Sequence, residues 1–231
     1  MSQSSIISVQ HLNHYFGKGS LRKQVLFDIS LSINPGEIVI LTGPSGSGKT
    51  TLLSLMAGLR SVQEGSVKVF GKEVYRAGNK KLLQLRRQIG YVFQKHNLVP
   101  FLTASQNVQM TMELARNMSR KEMCCRAEAM LELVGLNHRI HYYPDQLSEG
   151  QKQRVAFARA LVTQPQLILA DEPTASLDKN STQIVVETLK ERAKYQGCSI
   201  LLITHDNRIL DMADRIIYME DGYLKNDVRA A

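Results

Sequence analysis

The feature that most constrains this chain is a glycine-rich segment between an apolar run and a helical pattern. The apolar run 38–41 precedes the segment as a buried strand, and Thr51 continues into the helical pattern. Glycines in such a loop let backbone N–H groups converge on phosphate oxygens at a helix N-terminus, whose dipole favours anions. The residue order matches the phosphate-binding pattern G-x-x-x-x-G-K-[ST] and predicts a nucleotide site. The segment is Gly43-Pro44-Ser45-Gly46-Ser47-Gly48-Lys49-Thr50.

A nucleotide site of this kind also needs a magnesium ligand and a base, and the sequence offers both. Lys49 is expected to reach the β- and γ-phosphates, and the hydroxyl of Thr50 to bind Mg²⁺. The apolar run 167–170 predicts a second buried strand. Asp171 and Glu172 follow it at the strand end, where ligands bind in parallel sheets. We expect Asp171 to orient Mg²⁺ and Glu172 to polarise the attacking water as a general base.

The whole chain alternates short β-branched runs with helical patterns, which predicts an α/β fold with a mostly parallel sheet. Residues 96–161 break this alternation, because they have little strand signal and much helical pattern. We therefore expect one domain, with a helical subdomain at 96–161 inserted in a nucleotide-binding core of residues 1–95 and 162–231. The predicted strands are 5–9, 37–42, 67–69, 89–93, 167–170 and 199–204, and the predicted helices are 49–59, 79–87, 150–161, 181–194 and 208–212.

Composition excludes several other classes of protein. The chain has 231 residues, of which 43% are hydrophobic and 22% are charged, so it is not a disordered chain. Its three cysteines form no disulfide framework, which favours reduced thiols. Its apolar runs are far shorter than the ~20 residues that a membrane-spanning helix needs. The net charge of +8 favours anionic surfaces. We expect a protein that does not itself span a membrane.

A second set of motifs resembles one family of ATPases. Residues 147–151 resemble the Leu-Ser-Gly-Gly-Gln signature of the ATP-binding-cassette (ABC) ATPases, and they read Leu147-Ser148-Glu149-Gly150-Gln151. Gln94 resembles the Q-loop glutamine, residues 176–178 resemble the D-loop, and His205 resembles the switch histidine. Tyr15 lies where this family has an aromatic residue that stacks on adenine, with Phe16 as its rival. The motifs occur in the family's order and span residues 15–205.

The resemblance implies a P-loop ATPase fold with an antiparallel β part near the N-terminus. It also implies that two copies pair head to tail, with each ATP between the phosphate loop of one copy and the signature helix of the other. Ser148 and Gly150 would then cap the γ-phosphate, His205 would hold it, and Asp178 would couple the two sites. By this resemblance ATP contacts Tyr15, Gly43, Pro44, Ser45, Gly46, Ser47, Gly48, Lys49, Thr50, Thr51, Ser148, Gly150, Gln151 and Asp178; catalysis uses Glu172, His205, Lys49 and Gln94; and Mg²⁺ contacts Thr50, Gln94 and Asp171.

Glu149 departs from the signature, which usually has glycine at this position. A carboxylate that points toward the γ-phosphate would repel it, and one that points away is harmless. Because Ser148 and Gly150 are retained, we expect Glu149 to point away. Replacement of Glu149 by glycine should then leave hydrolysis within a few-fold.

Finer resemblances point to an exporter. Residues 89–108 resemble the Q-loop region of the lipoprotein-release and macrolide-export ATPases, and residues 12–19, 21–29 and 59–65 resemble the cyanobacterial DevA type. These likenesses imply a homodimer on the cytoplasmic face of the inner membrane, with an integral membrane permease, a membrane-fusion adaptor and no nucleic acid. The implied substrate is a glycolipid or another lipophilic envelope component. An amino-acid-type importer ATPase and a force-transmitting ATPase without transport remain alternatives.

The permease contact is expected at the start of the helical insertion. A coupling helix of the permease should dock between Gln94 and about Asn107. Four apolar residues of this region are candidates for the contact, although ordinary core packing is an equal explanation for them. They are Phe93, Leu98, Phe101 and Leu102.

Overall fold

The computed structural model describes residues 5–113 and 118–229, and within them ten strands and six α-helices form two sheets with flanking helices. The strands are β1 (Ile7–Phe16), β2 (Lys23–Ile33), β3 (Ile38–Thr42), β4 (Glu64–Val69), β5 (Lys72–Glu73), β6 (Ile89–Val92), β7 (Leu167–Asp171), β8 (Ser199–Ile203), β9 (Arg215–Glu220) and β10 (Tyr223–Arg229). The helices are α1 (Lys49–Met56), α2 (Asn79–Arg86), α3 (Ala104–Glu113), α4 (Arg120–Leu133), α5 (Glu149–Leu161) and α6 (Lys179–Gln196).

The larger sheet has six strands in the order β10-β9-β3-β8-β7-β6. The strands from β9 to β6 run parallel, and only the edge strand β10 is antiparallel to its neighbour. Every residue of β7 and β8 is buried, which explains why these strands read as continuous apolar runs rather than alternating ones. The prediction of an α/β fold with a mostly parallel sheet is confirmed.

The smaller sheet is antiparallel, with the order β2-β1-β4-β5. It contains the N-terminal strands β1 and β2, so the antiparallel part implied by the resemblance is present. The pairing of β1 with β2 is irregular and shifts register after Val9, after Leu12 and after His14. The first shift changes which side chains face the core, because Ile7 and Val9 are buried before it and Leu12 and His14 after it.

Two hydrophobic cores lie on opposite faces of the six-stranded sheet. Residues that alternate along β3 belong to different cores: Ile40 packs with α5, α6 and the helical segment, whereas Leu41 packs with α1 and the antiparallel sheet. The strands β7 and β8 divide their side chains in the same way. The central strands are therefore a wall shared by both cores.

The segment between residues 96 and 161 contains α3, α4, α5 and two short 3-10 helices, with no strand among its described residues. The helix expected at 208–212 is a 3-10 helix instead, Asn207–Met212, whose first N–H groups are capped by Asp206. Aspartate caps such a turn readily, and the following run is too short for a stable α-helix. Across the residues that the structure covers, no helix combines the length and apolar character needed to cross a bilayer.

Candidate active site

The carboxyl ends of three neighbouring strands bring the predicted site residues together. The phosphate loop follows β3, His205 follows β8, and Asp171 and Glu172 end β7 and begin the loop after it. Strand ends of this kind are where ligands bind in parallel sheets. They border a cavity of about 630 Å³. Its lining residues are Phe16, Val25, Ser45, Gly46, Gly48, Lys49, Thr50, Thr51, Gln94, Asp171, Glu172, Ala175, Ile203 and His205.

The phosphate loop requires glycine for conformational and steric reasons. Gly43 has a φ of 134°, and a β-carbon there would lie 1.9 Å from the carbonyl oxygen of Met219. Gly48 has a φ of 101° and immediately precedes α1, so the first turn of that helix opens into the loop. The backbone N–H groups at the start of α1 are therefore available to an anion.

Lys49 directs its ammonium group into this loop. The Nζ atom donates to the carbonyl oxygens of Gly43 and Pro44 at 2.7 Å each and to Ser47 Oγ at 3.2 Å. The residue is only 6% exposed. Burial lowers the pKa of Lys49, and the nearby carboxylates of Glu172 and Asp171 oppose that shift. A cation held in this position can bind phosphate oxygens without moving far.

Thr50 and Asp171 form the predicted magnesium pair. Thr50 Oγ1 donates to Asp171 Oδ2 at 2.7 Å, and the aspartate is 3% exposed. Burial raises the pKa of Asp171, while the bond from Thr50 and the charge of Lys49 lower it. The Thr50 hydroxyl and the Asp171 carboxylate lie side by side and both offer hard oxygen ligands, so these residues fit Mg²⁺. Gln94 lines the same cavity.

Glu172 and His205 are in direct contact. His205 Nε2 lies 3.3 Å from Glu172 Oε1, and the glutamate side chain is 14% exposed. Glu172 has a φ of 52°, a left-handed conformation unusual for a residue with a β-carbon, and its N–H bonds to the carbonyl of Ile203. Burial raises the pKa of Glu172, and His205 opposes this shift. The arrangement suits a general base beside the phosphate loop.

Phe16, and not Tyr15, lines the cavity. The ring of Tyr15 is covered by the guanidinium of Arg22 at 3.8 Å, and its hydroxyl bonds to Glu64. Phe16 is 37% exposed and has the guanidinium of Arg60 at 5.0 Å from its ring centre. Tyr15, the residue expected to stack on adenine, therefore lies outside the cavity lining, and its rival Phe16 lies in it.

Sequence reasoning also missed three apolar parts of the cavity wall. Val25, Ala175 and Ile203 line the cavity without any polar group that would mark them as site residues. Ile203 could have been inferred as the last residue of the strand before His205. Val25 lies on β2, a strand that the sequence analysis did not predict.

The signature residues lie outside this cavity, at the start of α5. Ser148 and Gln151 form a capping box, in which each side chain bonds the other residue's N–H. A β-carbon at Gly150 would lie 2.9 Å from the carbonyl oxygen of Ser176, so this helix start packs closely against residues 176–178. Asp178 caps α6 by accepting bonds from the N–H and hydroxyl of Ser181.

Glu149 turns toward other partners on the surface. Its carboxylate accepts a bond from Lys152 Nζ at 2.6 Å and lies 3.6 Å from Nδ1 of His96. The bond from Lys152 lowers the pKa of Glu149. Arg159 on the same helix donates to the carbonyl oxygens of His96 and Asn97. The helix start is thus tied to the segment that follows Gln94.

The fold and this site define a nucleoside triphosphatase of the P-loop type. A family model described as "ABC transporter" matches residues 26–175. The chain belongs to this family, so the resemblance to ABC ATPases is confirmed, and with it the assignment as an ATP-binding enzyme that hydrolyses ATP. It is the ATP-binding domain of a transporter.

Three relatives show the same family relationship. HrtA of Staphylococcus haemolyticus, whose name describes a hemin import ATP-binding protein, is 39% identical over 95% of this chain and 99% of its own. The lipoprotein-releasing system ATP-binding protein LolD of Shewanella frigidimarina is 37% identical over 97% of this chain and 94% of its own. The macrolide export ATP-binding/permease protein MacB of Aggregatibacter actinomycetemcomitans is 42% identical over 97% of this chain but only 35% of MacB.

The fold is also that of a solved cassette. The dimeric post-hydrolysis structure of the ATP-binding cassette MJ0796, bound to ADP and Pi, matches with a TM-score of 0.93 and 34% identity. The match covers 96% of this chain and 98% of that one. The two-sheet architecture with a helical part is therefore the fold of an ABC ATPase.

Proposed function

We propose that this chain is the ATP-hydrolysing subunit of an ABC exporter and acts as a head-to-tail homodimer below a separate membrane permease. One observation carries the catalytic part: the Glu172 carboxylate contacts His205 in the same cavity that holds the phosphate loop and the Thr50–Asp171 pair. These contacts support a site in which a base, a cation and oxygen ligands act together.

Each side chain has a defined role in this proposal. The N–H groups of the loop and Lys49 hold the phosphates, and Phe16 stacks on adenine. Glu172 takes a proton from the attacking water at its carboxylate, and His205 fixes the geometry of the γ-phosphate and that water. Thr50 and Asp171, with Gln94 nearby, would hold Mg²⁺, which when bound neutralises charge on the phosphates.

The position of the signature residues supports a dimer. Ser148, Gly150, Gln151 and Asp178 lie outside the lining of the loop cavity, although the capped start of α5 presents N–H groups suited to an anion. In a head-to-tail pair this helix start would cap the γ-phosphate held by the other copy. The dimeric structure reported for the cassette MJ0796 supports the pairing of two copies.

Export is supported by the names of two relatives, the macrolide exporter MacB and the lipoprotein-releasing LolD. The permease would dock near residues 93–102, where Phe101 is 77% exposed and Leu98 packs against the core. We further propose, from the finer sequence likeness, a DevA-type system with a membrane-fusion adaptor and a lipophilic envelope substrate. The cassette would lie on the cytoplasmic face of the inner membrane, held there by its permease.

Import is the second candidate, because the name of the relative HrtA describes hemin import. A force-transmitting ATPase without transport is the third. The membrane partner distinguishes the three candidates. An exporter has a permease with a large extracytoplasmic domain, an importer has a permease that works with a solute-binding protein, and a force-transmitting ATPase without transport copurifies with no membrane protein.

The test uses Glu172→Gln, which removes the base with little change in shape. Hydrolysis should fall by about 10²-fold or more, ATP binding should remain, and ATP should trap a dimer visible by light scattering. Lys49→Ala should lose ATP binding. The matched control for Glu172→Gln is Glu191→Gln, which makes the same change on the exposed face of α6 and should leave hydrolysis unchanged. Normal turnover by Glu172→Gln would overturn the base assignment. The tagged Glu172→Gln protein is then pulled down from detergent-solubilised membranes in the presence of ATP. Mass spectrometry of the proteins that copurify identifies the class of permease.

A further inference from the structure

The net charge of the chain is concentrated in one short region. Residues 72–87 contain six basic side chains and one acidic side chain, which gives a net +5 out of +8 for the whole chain. This region forms β5, the turn after it, α2 and the residue that follows α2. The six basic side chains, here called the basic surface, are Lys72, Arg76, Lys80, Lys81, Arg86 and Arg87.

The basic surface is exposed and electrically unpaired. All six side chains are exposed, and none of them has an acidic partner within 4 Å among residues 5–113 and 118–229. Glu73, the one acid of the region, accepts bonds from Ser66 Oγ and from the N–H groups of Val67 and Tyr75 instead. The positive field of the region is therefore not cancelled internally.

The helix α2 presents one exposed apolar side chain among its cations. Lys80, Leu83 and Arg87 are spaced i, i+3 and i+7, so they share one face. Leu83 is 44% exposed between these two cations, whereas Leu85 on the other side is 3% exposed and belongs to the core. The cations are attracted to anionic headgroups, and the exposed leucine beside them adds apolar surface that the headgroup layer can bury.

The basic surface adjoins the region that the proposed function gives to the permease. Leu83, Arg86 and Arg87 line an apolar cavity of about 490 Å³ together with Tyr91 and Phe93. Phe93 is one of the residues expected to contact the permease. The basic surface would therefore face the membrane when the permease is docked, and this orientation rests on the proposed function.

We propose that the basic surface contacts the anionic phospholipid headgroups of the membrane that contains the permease. A fluid anionic surface needs exposed, unpaired cations and an apolar side chain that can enter the headgroup layer, and this face offers both. Each cation near such a surface strengthens binding about fivefold. The contact would hold the cassette close to its permease between cycles.

The experiment is flotation of the purified full chain with vesicles at low ionic strength. One set of vesicles contains equal parts of phosphatidylglycerol and phosphatidylcholine, and the other contains phosphatidylcholine alone. The variant Lys80→Gln with Lys81→Gln removes two charges of the basic surface. The matched control is Lys190→Gln with Lys194→Gln, which removes two exposed charges of α6. Leu83→Ser tests the apolar contribution, and thermal melts check that each variant is folded.

We expect binding to the anionic vesicles only, and its loss at high salt. The Lys80/Lys81 pair should weaken binding about fivefold for each charge removed, and the Lys190/Lys194 pair by less than about twofold. Absence of binding to anionic vesicles would overturn the proposal and favour an acidic segment of the permease as the partner. Equal loss with the α6 pair would assign binding to net charge alone and would also overturn it.

ATPase activity of the same preparations separates this inference from the proposed function. Lys80 and Lys81 do not line the active-site cavity, so hydrolysis by their variant should match that of the unchanged chain. Vesicle binding without ATPase activity would overturn the proposed function alone. ATPase activity without vesicle binding would overturn the lipid contact alone.

Discussion

At the scale of single residues, several neighbouring groups shift the pKa of the Glu172 carboxyl group in opposite directions. Burial raises its pKa above the usual value of 4.5, His205 lowers it, and Asp171 raises it, with a net rise. A general base acts only when ionised, so hydrolysis falls as the pH drops through this raised pKa. We predict that the acid limb of kcat/KM lies above pH 4.5, as measured by steady-state assays over a pH series.

The substitution His205→Gln checks the origin of that limb. Because His205 lowers the pKa of Glu172, its removal should move the acid limb of the residual activity to higher pH. A limb that moves to lower pH, or that persists in Glu172→Gln, would assign the titration to another group. Circular dichroism over the same pH range separates the loss of a base from unfolding.

The second prediction at this scale concerns the base-stacking side chain. Stacking of a nucleotide base on an aromatic ring is worth about 1–3 kcal/mol, so Phe16→Ala should weaken ATP binding about fivefold or more. Tyr15→Ala is the matched control, because its ring is covered by Arg22 and lies outside the cavity. Titration calorimetry with ATP measures both. A larger effect at Tyr15 than at Phe16 would restore the original assignment.

The ambiguity between Tyr15 and Phe16 shows what a sequence cannot supply. The motif order leaves the stacking role open between two adjacent residues. A shift of one residue along a strand moves a side chain to the opposite face of the sheet. The strand β1 contains register shifts that cannot be predicted from its local sequence pattern. In contrast, the structure brings the loop, Asp171 and Glu172 to one cavity, and each lies at or directly after the end of a buried apolar strand. Their roles in binding and catalysis stay predictions.

At the scale of elements, two neighbouring residues at the start of α5 should respond differently to substitution: Glu149 should tolerate it and Gly150 should not. Glu149 points to Lys152 and His96, so Glu149→Gly should leave hydrolysis within about threefold, since an exposed ion pair contributes little. Gly150→Ala would bring a β-carbon to 2.9 Å from the Ser176 carbonyl and displace the segment that contains Asp178. We expect it to lower hydrolysis by about tenfold or more.

Steady-state hydrolysis and ATP affinity of the two variants provide the measurement. A large gain in ATP affinity for Glu149→Gly would mean that the carboxylate faces the phosphate. Full activity of Gly150→Ala would mean that this helix start can move away from residues 176–178 without consequence.

The fully buried central strands were predicted from their apolar runs, whereas the strands β2, β9 and β10 were not predicted. The strands β3, β7 and β8 are buried throughout or nearly so, and their sequences show it. The edge strand β10 has no buried residue, and its sequence YLKNDVR lacks the alternation that marks a strand. It is a strand because β9 supplies hydrogen-bond partners, which is tertiary information.

At the scale of the whole molecule, the shared central strands couple the helical segment to the rest. Leu131 on α4 and Leu53 on α1 are fully buried in opposite cores. Because β3 contributes side chains to both cores, either leucine-to-alanine change should lower the stability of one common unfolding transition, by about 2–5 kcal/mol. Urea unfolding followed by far-ultraviolet circular dichroism is the measurement. A separate early transition for Leu131→Ala would show that residues 96–161 unfold alone.

The strand order β3-β8-β7 also fixes the spacing of the site residues. Adjacent strands in a sheet lie about 4.8 Å apart, and these three end in the phosphate loop, in His205, and in Asp171 with Glu172. Main-chain hydrogen bonds between the strands therefore fix the distances between the backbone positions of the reacting residues. The length of each side chain then decides how far its reacting group extends into the site. Protein engineers can change the chemistry of this site by exchanging side chains at the strand ends, but cannot change its spacing without dismantling the sheet.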